Sequence, residues 1–204
     1  MTGGRKVPFT CGAGIFGAGV ALIAAIFLVG CAGSPVAGPG NATGDSLPGL
    51  NEPTYFPAVI ATCDPPIGWQ AQPLKANSRH THQLWVSPSG MTAYGVVHFK
   101  LPWPIGPDLA LSGFISAMGK SEGGAELVEK HVDTRGIAFI ADGGQHHIRG
   151  QLIVQGWEAW AFYSATVRGK PIVPDELKLA ELAAAHTEIR DVEPPMRQAR
   201  AGEE

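Results

Sequence analysis

Ile137-Ala138-Phe139-Ile140-Ala141, then His146 to Val154, then Trp157 to Val167, joined by Asp142-Gly143-Gly144 and Gln155-Gly156, is the stretch that sets the architecture. Each of the three runs has the length and the apolar, aromatic and β-branched content of a strand, and both joins are tight-turn signals. The reading is an antiparallel meander. Alternation along the last strand puts Trp160 and Phe162 on one face and Trp157 and Tyr163 on the other. Bulky apolar side chains on both faces predict a sheet covered from both sides.

Working back toward the N-terminus, apolar residues recur at 109, 111, 114, 115 and 118, a helical spacing, with Asp108 as the expected cap and Ser121 to Gly124 as the break. Leu127 to Val132 reads as a short strand. Before the helix stands a hairpin: His80 to Val86 alternates, Ser87-Pro88-Ser89-Gly90 supplies the turn, and Met91 to Leu101 alternates again. Pairing Val86 with Met91 gives one face of Leu84, Val86, Met91, Val97 and Phe99, and another of Gln83, Trp85, Thr92, Tyr94 and His98. Downstream of the meander, Pro174-Asp175-Glu176 opens a final helix expected to end near Arg190.

The order of these elements, with the Pro66-x-Gly68-Trp69 entry and the Ser-Pro-Ser-Gly hairpin turn, resembles the Mog1/PsbP-like α/β/α sandwich over residues 58–190. The resemblance implies an α+β fold, an antiparallel sheet flanked by helices. It also implies a mostly non-catalytic role, as in photosystem II extrinsic subunits, a Ran-binding factor and envelope lipoproteins. It carries over no functional residue.

The N-terminus is an address. Arg5 and Lys6 precede an uncharged apolar run from Val7 to Gly30, the layout of an export signal. Leu28-Val29-Gly30-Cys31 looks like the lipobox of bacterial lipoproteins. That resemblance implies a diacylglycerol on the Cys31 sulfur and signal-peptidase recognition of Leu28, Val29 and Gly30. Two or three acyl chains give lasting anchorage where one is marginal. The alternative is an uncleaved membrane helix, since about 20 apolar residues suffice to span. Either way, the positive charges before the run place Cys31 onward outside the cytoplasmic membrane. Ala32 and Gly33 carry no aspartate retention signal of the enteric type, which favours the outer membrane if the source has two. The expected division is a signal peptide over 1–30, a lipidated Cys31 and flexible Gly/Pro/Ser-rich linker over 31–53, a sandwich domain over 54–190 and a loose tail over 191–204.

A net charge of −3 and a pI near 6.2 leave no electrostatic footprint for nucleic acid. Three cysteines make no disulfide framework; with Cys11 in the leader and Cys31 acylated, Cys63 stands alone and is expected to be buried or inert. No G-x-S-x-G elbow, H-E-x-x-H or phosphate loop is present, and the chain is not expected to be an enzyme. His80-Thr81-His82 is an H-x-H pair with α-carbons about 7 Å apart on one strand face. With His146 as a third ligand it would suit copper or zinc. Trp85, Tyr94 and Trp103 are the candidate partner surface. The expectation is a membrane-anchored envelope lipoprotein with a non-catalytic binding or accessory domain, no cofactor beyond the diacylglycerol on Cys31, and an envelope protein as partner. A periplasmic copper, zinc or small-ligand binder using His80 and His82 is the rival.

Overall fold

In a computed structural model that describes residues 47–77 and 79–190, the meander is one wing of a long antiparallel sheet. Along the chain the elements are β1 (Thr54–Phe56), β2 (Ala61–Cys63), β3 (Gln70–Ala71), β4 (Lys75–Ala76), β5 (His80–Val86) and β6 (Thr92–Lys100). There follow α1 (Pro107–Glu122), β7 (Ala125–Val132), β8 (Ile137–Gly143), β9 (His146–Gln155), β10 (Glu158–Val167), α2 (Pro174–His186) and β11 (Glu188–Ile189). The large sheet runs β3-β5-β6-β10-β9-β8-β7, with β4 also paired to β5; β1, β2 and β11 form a small second sheet. After β6 the chain crosses through α1 to the far edge and meanders back, so β10 closes against β6.

β10 is the spine, bonded along its length to β6 on one side and β9 on the other. Every residue from Ala159 to Thr166 is buried. The two faces build two cores. Leu111, Phe114, Ile115 and Met118 of α1 pack over Phe139, Ile148, Leu152 and Tyr163. Ala180 and Ala183 of α2, with Val59, Ala61 and Cys63, pack over Trp85, Tyr94, Val96, Trp160 and Phe162. The fold class is therefore the expected one: an antiparallel sheet flanked by helices. The free edge, β7, carries Glu126, Glu129 and Lys130 and a bulge between Leu127 and Glu129, devices that discourage strand addition.

The hairpin register differs from the expected one. Val86 pairs with Ala93, not Met91, because the loop closes one residue later on each side: Ser87 N–H donates to Thr92 O at 2.9 Å and Thr92 N–H to Ser87 Oγ at 3.2 Å. The slip is two residues in sum, so side chains keep their faces. Asp108 does not cap α1. Gly106 does, with Pro107 at the first position and Asp108 inside the first turn, where it pairs with Lys130. Trp157 lies outside β10, at the tip of the β9–β10 turn. Gly156 there has φ +61°, while Trp157 keeps an ordinary backbone, the pattern of a II′ hairpin.

α2 stops at His186, short of Arg190. Thr187 turns extended, and its Oγ1 donates to Ala183 O at 2.9 Å and bonds the Tyr94 hydroxyl. Glu188–Ile189 can then join β2 as β11. The expected linker also ends earlier than Pro53. Leu50 is buried in the second core, bridges Pro66, and is followed by Asn51 N–H donating to Pro65 O at 2.9 Å.

Candidate functional site

The signal and lipobox residues Leu28, Val29, Gly30 and Cys31, and the tail 191–204, lie outside the described residues. The histidines lie within them, and the structure does not assemble the expected metal set. His80 and His82 do share a strand face. His82, however, is buried in the core, its Nε2 bonded to the Tyr163 hydroxyl at 2.7 Å. Burial, helped by the charges of Lys75 and His80, pushes its imidazole down to about 3. In line with His82 across the sheet stand Val97, Ala161 and Leu152. His146 is six positions along β9 from Leu152, about 20 Å away, and is itself buried. Among the described residues no three His, Cys, Asp or Glu side chains are grouped to hold a metal.

The expected aromatic surface is likewise corrected. Trp85 and Tyr94 are buried and stacked on each other, ring centroids 4.9 Å apart, with Phe56 edge-on to Trp85 at 5.2 Å. They face the second core because the small sheet and α2 cover that side of the hairpin. Trp103 alone of the three is exposed.

What the structure does form is a cleft of about 240 Å³ at the open end of the β5–β6 pair. Pro57, Ala58 and Ile60, from the β1–β2 turn, make its roof. Thr81, His98 and Lys100 lie below, and Asn77, Arg79 and His80 close one end. The register explains the grouping. Thr81 pairs with His98, and Lys100 N–H donates to Arg79 O at 2.8 Å, so Arg79 and Lys100 stand directly opposite on the face that Thr81 and His98 share. Asn77 Oδ1 accepts from the N–H groups of Arg79 and His80 at 2.8 and 2.9 Å, which fixes the turn that presents them.

His98 is stacked on Trp160 with centroids 5.0 Å apart. Desolvation holds its pKa below the ordinary value against the opposing pull of Glu158, whose Oε2 is 3.6 Å from His98 Nε2. Nε2 itself is buried without a hydrogen-bond partner. Burial also lowers His80, so both rings are neutral at pH 7. Ile60 in the roof has φ +52°, a left-handed conformation that a β-branched residue adopts at a cost. It is held there from both sides: Trp160 Nε1 donates to Val59 O at 2.9 Å and Arg190 N–H to Ile60 O at 3.3 Å. Sequence reading passed over Arg79 and Lys100. Alternation puts each two positions from Thr81 or His98 and so on that face, but nothing local reveals the roof.

Cys63 is fully buried beside Tyr94, and desolvation pushes its thiol up to about 12. A thiol so far from ionising is a poor nucleophile. Iodoacetamide is therefore expected to label Cys63 only as fast as the fold opens, read by peptide mass mapping with and without urea. Labelling at the rate of a free peptide thiol in the native chain would contradict the burial.

No protein-family model matches the chain, and no curated protein matches it in sequence. Solved structures do. A crystal structure from Bacteroides thetaiotaomicron aligns at TM-score 0.39 and 17% identity, over 70% of this chain and 49% of that one. The solution structure of cyanobacterial PsbP (CyanoP) from Synechocystis sp. PCC 6803 aligns at TM-score 0.52 and 13% identity, over 74% of this chain and 98% of that one. This chain has the PsbP-like fold.

Proposed function

We propose that this chain is a membrane-anchored envelope lipoprotein whose domain binds or assists a partner and does no chemistry of its own. The observation that carries the reading is the likeness to CyanoP over 98% of that chain, joined to the Leu28-Val29-Gly30-Cys31 tetrapeptide after an apolar leader. The Cys31 thioether and an acylated amino terminus hold the protein to the bilayer, and the linker lets the domain stand off the headgroups. The domain faces the periplasm or exterior, on the outer membrane where the source has two. An envelope protein is the partner, met by a surface other than the buried Trp85 and Tyr94.

Intact mass with membrane fractionation tests the anchor. Wild type is expected as a mature species beginning at an acylated Cys31, and Cys31→Ser is expected to lose the acyl mass and the membrane retention of the mature form. An unmodified full-length chain in the membrane would instead establish an uncleaved helix. Crosslinking in intact cells then tests the partner: one recurrent envelope protein is expected.

A further inference from the structure

We propose that the cleft at the end of β5 and β6 binds a small oxyanion of the phosphomonoester class, held between the Arg79 guanidinium and the Lys100 ammonium. The proposal rests on the reading of the domain as a binding module and is independent of the anchor.

Like charges directly opposite across a strand pair destabilise the pair, and Arg79 and Lys100 are so placed. Among the described residues neither side chain has a hydrogen bond or ion pair to offset this. The nearest acid in register is Glu158, opposite Lys100 on β10. It turns toward His98 and is not among the described residues of the cleft wall, which include no carboxylate. Glu158 offsets at most one of the two charges, so Arg79 and Lys100 keep a net positive charge at the cavity. The wall also supplies neutral donors. Asn77 has spent its side-chain oxygen on two backbone N–H groups, which leaves its amide N–H groups available.

Two exposed cations beside the Asn77 amide, with no acid in the described wall, suit an anion that offers several oxygens, such as a phosphate dianion. A guanidinium fork takes two phosphate oxygens at once, and an ammonium adds a point charge. The cavity exceeds a bare ion, leaving room for part of an ester group. The strained roof at Ile60, pinned through Val59 and Arg190, keeps the cavity open over the cations. The ester is either a soluble phosphate compound or a lipid headgroup; the recognising chemistry is the same.

The test is calorimetric titration of the full chain in nonionic detergent with inorganic phosphate, in about 0.15 M chloride salt, where screening over about 8 Å suppresses diffuse attraction. Saturable binding is expected, weakened by roughly tenfold or more in Arg79→Gln/Lys100→Gln, with the thermal midpoint unchanged or raised, because both side chains are exposed and a like-charge pair is removed. Glu158→Gln keeps both cations and is expected to bind phosphate at least as tightly as wild type. No saturable binding by wild type, equal affinity in the double variant, or weaker binding by Glu158→Gln overturns the proposal. Adding phosphatidic acid to the micelles identifies the source. Displacement of phosphate, with phosphatidylcholine inert, assigns a headgroup; no displacement assigns a soluble ester. Failure here alongside acylated Cys31 and a recurrent crosslinked partner would leave the proposed function standing without this ligand.

Discussion

Gly95→Ala is expected to destabilise the fold by about 2–5 kcal/mol, from overpacking together with the loss of a buried hydrogen bond. Tyr163 on β10 has a glycine on each side in register, Gly95 on β6 and Gly150 on β9. The ring lies over Gly95 to reach His82 on β5. A Cβ at Gly95 would sit 2.4 Å from Tyr163 Cζ and 2.6 Å from its hydroxyl oxygen. Moving the ring aside breaks the bond to His82 and leaves a buried imidazole nitrogen unsatisfied. The matching change Gly150→Ala meets backbone, Phe162 O at 2.4 Å, which cannot swing away, and is expected to cost at least as much. Against a typical stability of about 5–15 kcal/mol, either change removes a large share. Urea unfolding followed by tryptophan fluorescence measures it. Placing Gly95→Ala in a Tyr163→Leu background is expected to cut its cost by more than half, since the shorter side chain vacates the space. A cost below about 0.5 kcal/mol in the wild-type background would mean the ring is not confined.

Acid is expected to weaken the fold through the same pair. In the unfolded chain the His82 imidazole titrates near 6.5; in the folded chain it is held at about 3 by burial, with Lys75 and His80 adding to the effect. Between those values the unfolded chain takes up a proton that the folded chain refuses. Stability therefore falls as pH drops through 6.5 and ceases to change for this group below about 3. The gap corresponds to a ceiling of roughly 5 kcal/mol. His80 and His98, also depressed by desolvation, act in the same direction. The charged and polar groups facing His82 are Tyr163 from β10, Lys75 from β4 and His80 on its own strand, none of which brings a negative charge to balance an imidazolium. His82→Gln keeps a neutral polar partner for Tyr163 and is expected to flatten the stability profile between pH 6.5 and 4. Parallel losses in wild type and variant over that range would assign the acid sensitivity elsewhere.

The two predictions show where sequence reading stopped. Alternation placed Tyr163 on one face of its strand and Trp160 and Phe162 on the other, and that is how the two cores divide. It placed Leu84 and Val86 apart from Trp85 and Tyr94 correctly even with the hairpin register two residues out, because side-chain direction depends only on parity. The same rule could not tell that Trp85 and Tyr94 are buried. That depends on what covers the face, and the cover is assembled from α2 and three very short strands, β1, β2 and β11, drawn from opposite ends of the described chain. Strands of two or three residues have no period to detect. Their stability comes from pairing, and the β2–β11 pair joins residues more than a hundred positions apart.

The histidines failed as a metal set for a related reason. Spacing along one strand correctly put His80 and His82 on a common face, but the distance to His146 is set by the registers of β9, β10, β6 and β5, and the β6–β10 register is a long-range pairing across the α1 crossover. The cleft is more distant still from local pattern. Arg79 and Lys100 meet only because the β5–β6 register brings them opposite, and they line a cavity only because Ile60 is pinned in a left-handed turn above them.

From sequence alone came six strands of the long sheet, β5 to β10, its two helices, the two-faced burial of its last strand, and the expectation of an exported, lipid-bearing chain. All of these rest on short-range chemistry: side-chain period, turn residues, and an apolar leader ending in a cysteine. Which aromatics are exposed, which histidines are solvated, and where Arg79 and Lys100 converge was decided by the tertiary structure, because each depends on register and on cover contributed by residues far away in the chain.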